Sequence, residues 1–209
     1  MGRAIALAGS ALVLAFAASG CSGDDSEPAA AVPRAQPRAA TCPAAWKAGW
    51  QRLAARIDSA VYCPSWMPSP LDGRIGGQWD NGVSVRRDRS YLVSFLWHEA
   101  PAQDVHVNFR GYPGRTRMPQ CDDDNAPPGA RRAIACFRDP KPARRIGRYR
   151  ITPYTVNEGV DQWHVVYLWR DRGSLYTVSQ HVAKPLTYRQ VVDDLDRLVR
   201  GLVRIDLAA

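Results

Sequence analysis

The sequence predicts an α+β domain: an antiparallel sheet with an N-terminal and a C-terminal helix packed on one face, braced by two disulfides. Helical periodicity is confined to residues 43–59 and 187–203, at the two ends of the compact region. The chain between them alternates apolar and polar residues with strand period. Four cysteines, Cys42, Cys63, Cys121 and Cys136, are spread through the same region. Residues 42–209 suit one domain with one core.

The first helix is expected over residues 43–59. Trp46, Trp50, Leu53, Ala54 and Ile57 fall on one stripe, while Lys47, Gln51 and Arg56 fall elsewhere. An extended Val61-Tyr62-Cys63 follows and can fold back along the helix. The prolines at 64, 68 and 70 forbid helix interior and central strand, so this segment reads as an ordered loop packed on aromatics. The sheet is expected to begin near Trp79, with a turn at Asp80-Asn81-Gly82 leading into Val83-Ser84-Val85.

Tyr91, Val93, Phe95 and Trp97 share one face of the next strand, and Val105, Val107 and Phe109 one face of its successor. The short connection at 100–103 makes the two a hairpin. Residues 147–156 read as a further strand. Residues 162–169 pair with 174–182 across Arg170-Asp171-Arg172-Gly173, the clearest hairpin in the chain. Thr187 with Gln190 forms a capping-box signal for the closing helix, whose apolar stripe runs Tyr188, Val191, Val192, Leu195, Leu198, Val199 and Leu202.

Upstream, an apolar run begins after Arg3 and closes on Ala18-Ser19-Gly20-Cys21. This ending resembles the lipobox of bacterial lipoprotein signal peptides, in which the cysteine is diacylated and becomes the first mature residue. As a helix the run from residue 4 to 18 spans only about 22 Å, against roughly 30 Å of hydrocarbon, so it is a poor permanent membrane span. The resemblance implies a signal peptide over 1–20, lipidation at Cys21, and a chain tethered to the extracytoplasmic face of the cell membrane. Ordinary signal cleavage near Ala18 is the alternative. Residues 21–41 are rich in Ala, Pro, Ser, Asp and Arg and cannot offset their ordering entropy, so they read as a flexible tether with a reach of about 25 Å.

With Cys21 acylated, the four remaining cysteines form an even set in an oxidising compartment. Four cysteines allow three pairings, of which Cys42–Cys63 and Cys121–Cys136 are expected here. The first pair brackets the amphipathic helix. The second closes a polar loop, where a crosslink restricts the unfolded chain by on the order of 3 kcal/mol. The absence of Cys-x-x-Cys spacing argues against a redox motif or a zinc ribbon.

The formal charge of +8 favours anionic partners outside the cell, such as anionic lipid or wall polymer, reached alongside the membrane anchor. An exported chain is a poor partner for nucleic acid. The segment Val61-Tyr62-Cys63-Pro64-Ser65-Trp66-Met67-Pro68-Ser69-Pro70-Leu71, with the lipobox, resembles uncharacterised actinobacterial-type lipoproteins. The strand-turn-strand-helix ending at 163–203 is similar to small PsbP/Mog1-like α+β envelope domains. Both resemblances imply an envelope location, and neither carries catalytic residues onto this sequence.

The sequence has no Gly-x-Ser-x-Gly elbow, His-Glu-x-x-His, P-loop or Ser-x-x-Lys, so catalysis would need dispersed residues. Asp122-Asp123-Asp124-Asn125 lacks the central glycine and distal glutamate of a calcium loop and reads as a solvated acidic loop. If the first hairpin centres between Pro101 and Gln103, His98 and His106 lie opposite one another and could share a metal ion, given a third ligand. The competing reading is a pair of surface histidines beside a turn. His164 and His181 are expected as cross-strand neighbours, buried or half-buried.

Arg144, Arg145 and Arg148 head a basic segment at 131–150 that could hold anions, at roughly 1 kcal/mol per residue near a charged membrane. The alternative is a solvated loop and strand face. Of the seven tryptophans, Trp66 and Trp79 alone sit outside periodic core faces. No cofactor is implied. The function expected is a non-catalytic binding or sensing module at the cell envelope. The rivals are an envelope hydrolase with a dispersed active site and a structural subunit docking on a partner protein.

Overall fold

The computed structural model describes residues 39–69, 71, 76–78, 85–99, 103–122, 127, 129, 132–159 and 163–207. Cys21, the leader and most of the tether lie outside the described residues, as do the turn at 80–82, Trp79 and residues 123–125.

Helix α1 (Ala44–Ile57) starts at Pro43, which needs no amide hydrogen there, and stops where Asp58 turns left-handed at φ 48°. Its buried face is Trp50, Leu53, Ala54 and Ile57. After α1 come β1 (Val61–Pro64), β2 (Gly76–Gln78), β3 (Tyr91–Glu99) and β4 (Gln103–Tyr112). A short ribbon follows, β5 (Gln120–Asp122) with β6 (Ala133–Ala135), then β7 (Arg144–Ile146), β8 (Tyr149–Val156), β9 (His164–Asp171) and β10 (Ser174–His181). Helix α2 (Tyr188–Arg200) and strand β11 (Leu202–Ile205) close the described chain.

Seven strands form the main sheet in the order β2-β3-β4-β10-β9-β8-β7, and each neighbouring pair is antiparallel. The central pairing, β4 with β10, joins strands far apart in sequence and brings the two hairpins side by side. Arg172 (φ 45°) and Gly173 (φ 78°) both take positive φ between β9 and β10, as a tight turn matched to strand twist requires. Both helices share one core with Tyr91, Val93, Phe95, Val105, Val107, Phe109, Val165, Tyr167, Trp169, Tyr176 and Val178, so both cover the same face of the sheet. Tyr62 sits among Tyr149, Trp169 and Tyr176 with edge-on ring contacts of 4.8 to 5.7 Å.

The opposite face carries a smaller cluster, Tyr154, Val166, Leu168 and Leu175, covered by Tyr112, Met118, Phe137 and Val156. Cys42–Cys63 and Cys121–Cys136 are the disulfides, with Cα separations of 5.6 and 4.9 Å. The first ties the chain before α1 to β1, and the second joins β5 to the segment just after β6.

Three local expectations are corrected. The closing helix ends at Arg200, and Leu202, assigned above to its apolar stripe, begins β11 instead. Gly201 accounts for the change: its amide caps the carbonyls of Arg197 and Leu198, and the chain leaves as a strand that pairs with β1 from Val61↔Ile205 to Pro64↔Leu202. The strand at 147–156 begins at Tyr149, because the preceding turn at Gly147 (φ 56°) returns the chain from β7. The first hairpin pairs up to Glu99↔Gln103, which places His98 opposite Asp104 and His106 opposite Leu96. The observed register is offset by two residues from the expected one. His98 and His106 are therefore not an opposed pair.

Candidate functional site

The helix-free face of the sheet is polar along its two central strands. Strand alternation sends Asn108 and Arg110 from β4, and Thr177 and Ser179 from β10, to this face, where the register sets Asn108 against Ser179 and Arg110 against Thr177. Ser94 on β3 stands opposite Asn108 and donates its hydroxyl to the Asn108 Oδ1 at 2.6 Å, which keeps the Asn108 NH2 as a donor. Ser179 and Thr177 are buried, at 2% and 0% exposure, and their hydroxyls have no hydrogen-bond partner among the described residues.

Pro119, Gln120 and Cys121, with Cys136 and Phe137 held to them by the Cys121–Cys136 bond, border this polar floor and make it one side of a cleft of about 470 Å³. Arg110, Asn108, Ser179 and His164 line the cleft from the sheet, Phe137 and Gln120 line it from the disulfide-linked border, and Arg86 also lines it. Val156 and Val166 add apolar surface. The size and the mixture of apolar walls with a few polar groups match small-molecule sites.

Arg110 is half-buried. Burial lowers its pKa from the ordinary arginine value; the neighbouring Tyr112 opposes that shift and the positive charge of Arg86 adds to it. Burial raises the Tyr112 hydroxyl, with Arg110 and Arg86 acting against it. Among the described residues no carboxylate contributes to the field at Arg110. Asp88, near Arg86 in sequence, is taken by Ser90, which donates both its backbone amide and its hydroxyl, and by Arg115 at 3.1 Å.

A histidine cluster lies one rung along the same face. His164 and His181 face each other across β9 and β10, as expected from the sequence, and His106 joins them from β4. The three ring centroids are 4.7 to 4.9 Å apart, and the Nε2 atoms of His106 and His164 are in contact at 2.6 Å. Two imidazole nitrogens bound to one tetrahedral ion stand about 3.3 Å apart, so this pair is closer than ion coordination places it. Among the described residues no group of three or more His, Cys, Asp or Glu is arranged to hold a metal ion. The side chain of His98 lies outside the described residues.

The basic segment divides by role. Arg144 is committed to α2: its guanidinium binds both oxygens of Asp196, at 3.0 and 2.5 Å, and donates to the Tyr167 hydroxyl. Arg148 lies over the Tyr149 ring and donates to its hydroxyl at 2.7 Å, while Arg145 is exposed. Arg148 also lines a second groove of about 480 Å³ with Ala40, Arg200 and Arg204, where the described chain enters the domain. Trp66, which lies outside the periodic core faces of the sequence, is half-buried beneath the Arg197 guanidinium at 3.9 Å. Trp50 and Trp169 are core, at 1% exposure each, and Trp163 stacks on Tyr188.

Arg110, Thr177 and Ser179 were not singled out from sequence. Their only local signal is the polar half of an alternating strand, which an ordinary solvated face also shows. Comparison with protein-family models, with curated proteins and with solved structures finds no match.

Proposed function

We propose that this chain is a membrane-anchored extracytoplasmic lipoprotein whose domain is a non-catalytic binding or sensing module, taking a small ligand in the cleft bordered by the Cys121–Cys136 disulfide. The observation that carries the reading is the cleft itself: a polar floor of Arg110, Asn108 and Ser179 walled by Phe137, Val156 and Val166. Two features favour binding over hydrolysis. Among the described residues the buried hydroxyls of Ser179 and Thr177 are not held against a general base, and the cysteines at the cleft are joined to each other. The lipobox-like Ala18-Ser19-Gly20-Cys21 supports the membrane location, and among the described residues no helix is long and apolar enough to cross a membrane.

The groove of Arg148, Arg200 and Arg204 beside Ala40 favours an accessory contact with anionic lipid or wall polymer, since it lies where the tether meets the domain.

The cleft reading is tested by thermal-shift screening of the full chain against a panel of small organic compounds, with Val156→Trp as the filled-cleft control. Compounds that raise the melting temperature of the wild type should lose the effect in the variant. A panel without any stabilising compound, or stabilisation untouched by Val156→Trp, overturns it. Chemical conversion of a bound compound would establish the hydrolase instead.

A further inference from the structure

We infer that the cleft recognises an organic oxyanion, a carboxylate or phosphate head seated on Arg110, Ser179 and Asn108 with an apolar body against Phe137 and Val166. The inference rests on the cleft reading and adds the chemistry of its ligand.

A guanidinium withdrawn from water is costly unless an anion or a set of acceptors compensates it. Arg110 has neither among its described electrostatic neighbours, which are a tyrosine and a second arginine. Arg110 lines the cleft, so an incoming anion would supply there what its described neighbours do not. Arginine presents paired donors suited to a planar carboxylate or to two phosphate oxygens.

A second observation points the same way without reference to charge. Ser179 is 2% exposed and lines the cleft, and its hydroxyl has no hydrogen-bond partner among the described residues. A buried hydroxyl left unmatched costs stability, and a ligand oxygen would satisfy it. Asn108, directly across the ladder from Ser179, lines the same cleft and has an NH2 to donate. The donors thus come from two adjacent strands at the rigid centre of the sheet. Phe137 and Val166 set the other requirement, because a fully hydrated inorganic anion would leave these apolar walls facing solvent.

The experiment is calorimetric titration of the full chain, carrying Cys21→Ser so that no acyl chain competes, with phenylacetate, phenyl phosphate and neutral phenylacetamide. Both oxyanions, or whichever the head geometry prefers, should bind more tightly than the amide. In Arg110→Gln their affinity should fall roughly tenfold to a hundredfold, the range for losing a charged hydrogen bond, with the amide unchanged. The melting temperature of that variant should equal or exceed that of wild type, since a poorly compensated charge has been removed. Arg110→Lys, which keeps the charge and alters the donor geometry, should retain part of the affinity and guards against misfolding of the glutamine variant.

Equal binding of amide and oxyanions, or oxyanion affinity unaffected in Arg110→Gln, overturns the inference. Binding of the amide alone, abolished by Val156→Trp, would leave the cleft reading standing while the oxyanion proposal fell. Failure of all three probes would also remove the oxyanion proposal, and the wider panel would then decide whether the cleft binds anything.

Discussion

The Tyr167 hydroxyl donates to the Asp196 carboxylate at 2.7 Å, fastening the middle of the sheet to the closing helix. Arg144 reaches the same carboxylate from β7 and Arg200 approaches it at 3.5 Å from within α2, so one largely buried side chain collects three elements. Burial and the bond to Asp196 hold the Tyr167 pKa well above that of a free tyrosine, so the hydroxyl keeps its proton and remains a donor. Asp196→Ala should lose about 1–3 kcal/mol of unfolding free energy, and Tyr167→Phe about 1. Denaturant unfolding of the two variants and their double mutant tests this, and the double mutant should lose less than the two losses combined.

Acid stability should depend on Asp88. Hydrogen bonds from Ser90 hold its carboxyl below the ordinary aspartate range, and Arg115 adds to the effect. Its stabilising contribution is therefore complete above the unfolded-state value and lost as pH falls through the lowered folded value. Unfolding midpoints of Asp88→Asn measured from roughly pH 6 to pH 2 should fall less steeply than those of wild type. Parallel curves would show that Asp88 carries no linkage.

The two disulfides should differ in what they protect. Opening Cys42–Cys63 or Cys121–Cys136 by paired serine substitution should each cost about 3 kcal/mol on the chain-entropy account. Only the second should weaken ligand retention in the cleft beyond its effect on melting temperature, because its two cysteines line the cleft with Arg110 and those of the first do not. Binding losses of equal size in both variants would contradict this division.

Cys21→Ala should move the protein from the membrane fraction to the soluble exported fraction, because a diacyl group supplies two buried chains and stable anchoring takes two. Cell fractionation followed by immunoblotting reads the result. Unchanged membrane association would remove the lipid anchor from the account.

The arginines at 144, 145 and 148 should separate experimentally. Arg145→Gln with Arg148→Gln should weaken attachment to anionic vesicles at low salt, and the difference should shrink as salt shortens the screening length. Arg144→Gln should instead lower stability through Asp196, with little effect on vesicle attachment. Co-sedimentation at two salt concentrations, beside melting curves, distinguishes the two behaviours.

Much of the architecture was legible because its signals are local. Trp50, Leu53 and Ile57 repeat at helical spacing, Tyr91, Val93 and Phe95 at strand spacing, and Thr187 with Gln190 marks a helix start that the structure realises as a capping box. Gly201 marked the helix end equally plainly, but Leu202 continued the apolar stripe and hid the strand. The cleft was illegible for a different reason. Arg110 and Ser179 are 69 positions apart, and they meet only because β4 pairs with β10, a non-local choice that neither strand's pattern encodes. The histidine cluster depends on the same pairing: the neighbouring His164 and His181 could be foreseen from one hairpin, whereas His106 could not.

The pairing of β1 with β11, together with the Cys42–Cys63 bond, sets how the domain bears mechanical load. A pull on the chain ahead of Cys42 passes through the sulfur bridge directly into β1, bypassing the backbone of α1. From β1 it is shared with β11 through four registered residue pairs, and β11 continues into α2 and its anchorage on Tyr167. Helix α1 is thus a closed covalent loop off the load path. Thermal motion or shear acting on a tethered domain would be resisted by cross-strand hydrogen bonds and one covalent link, and the cleft on the far face of the sheet would keep its shape while the point of attachment is strained.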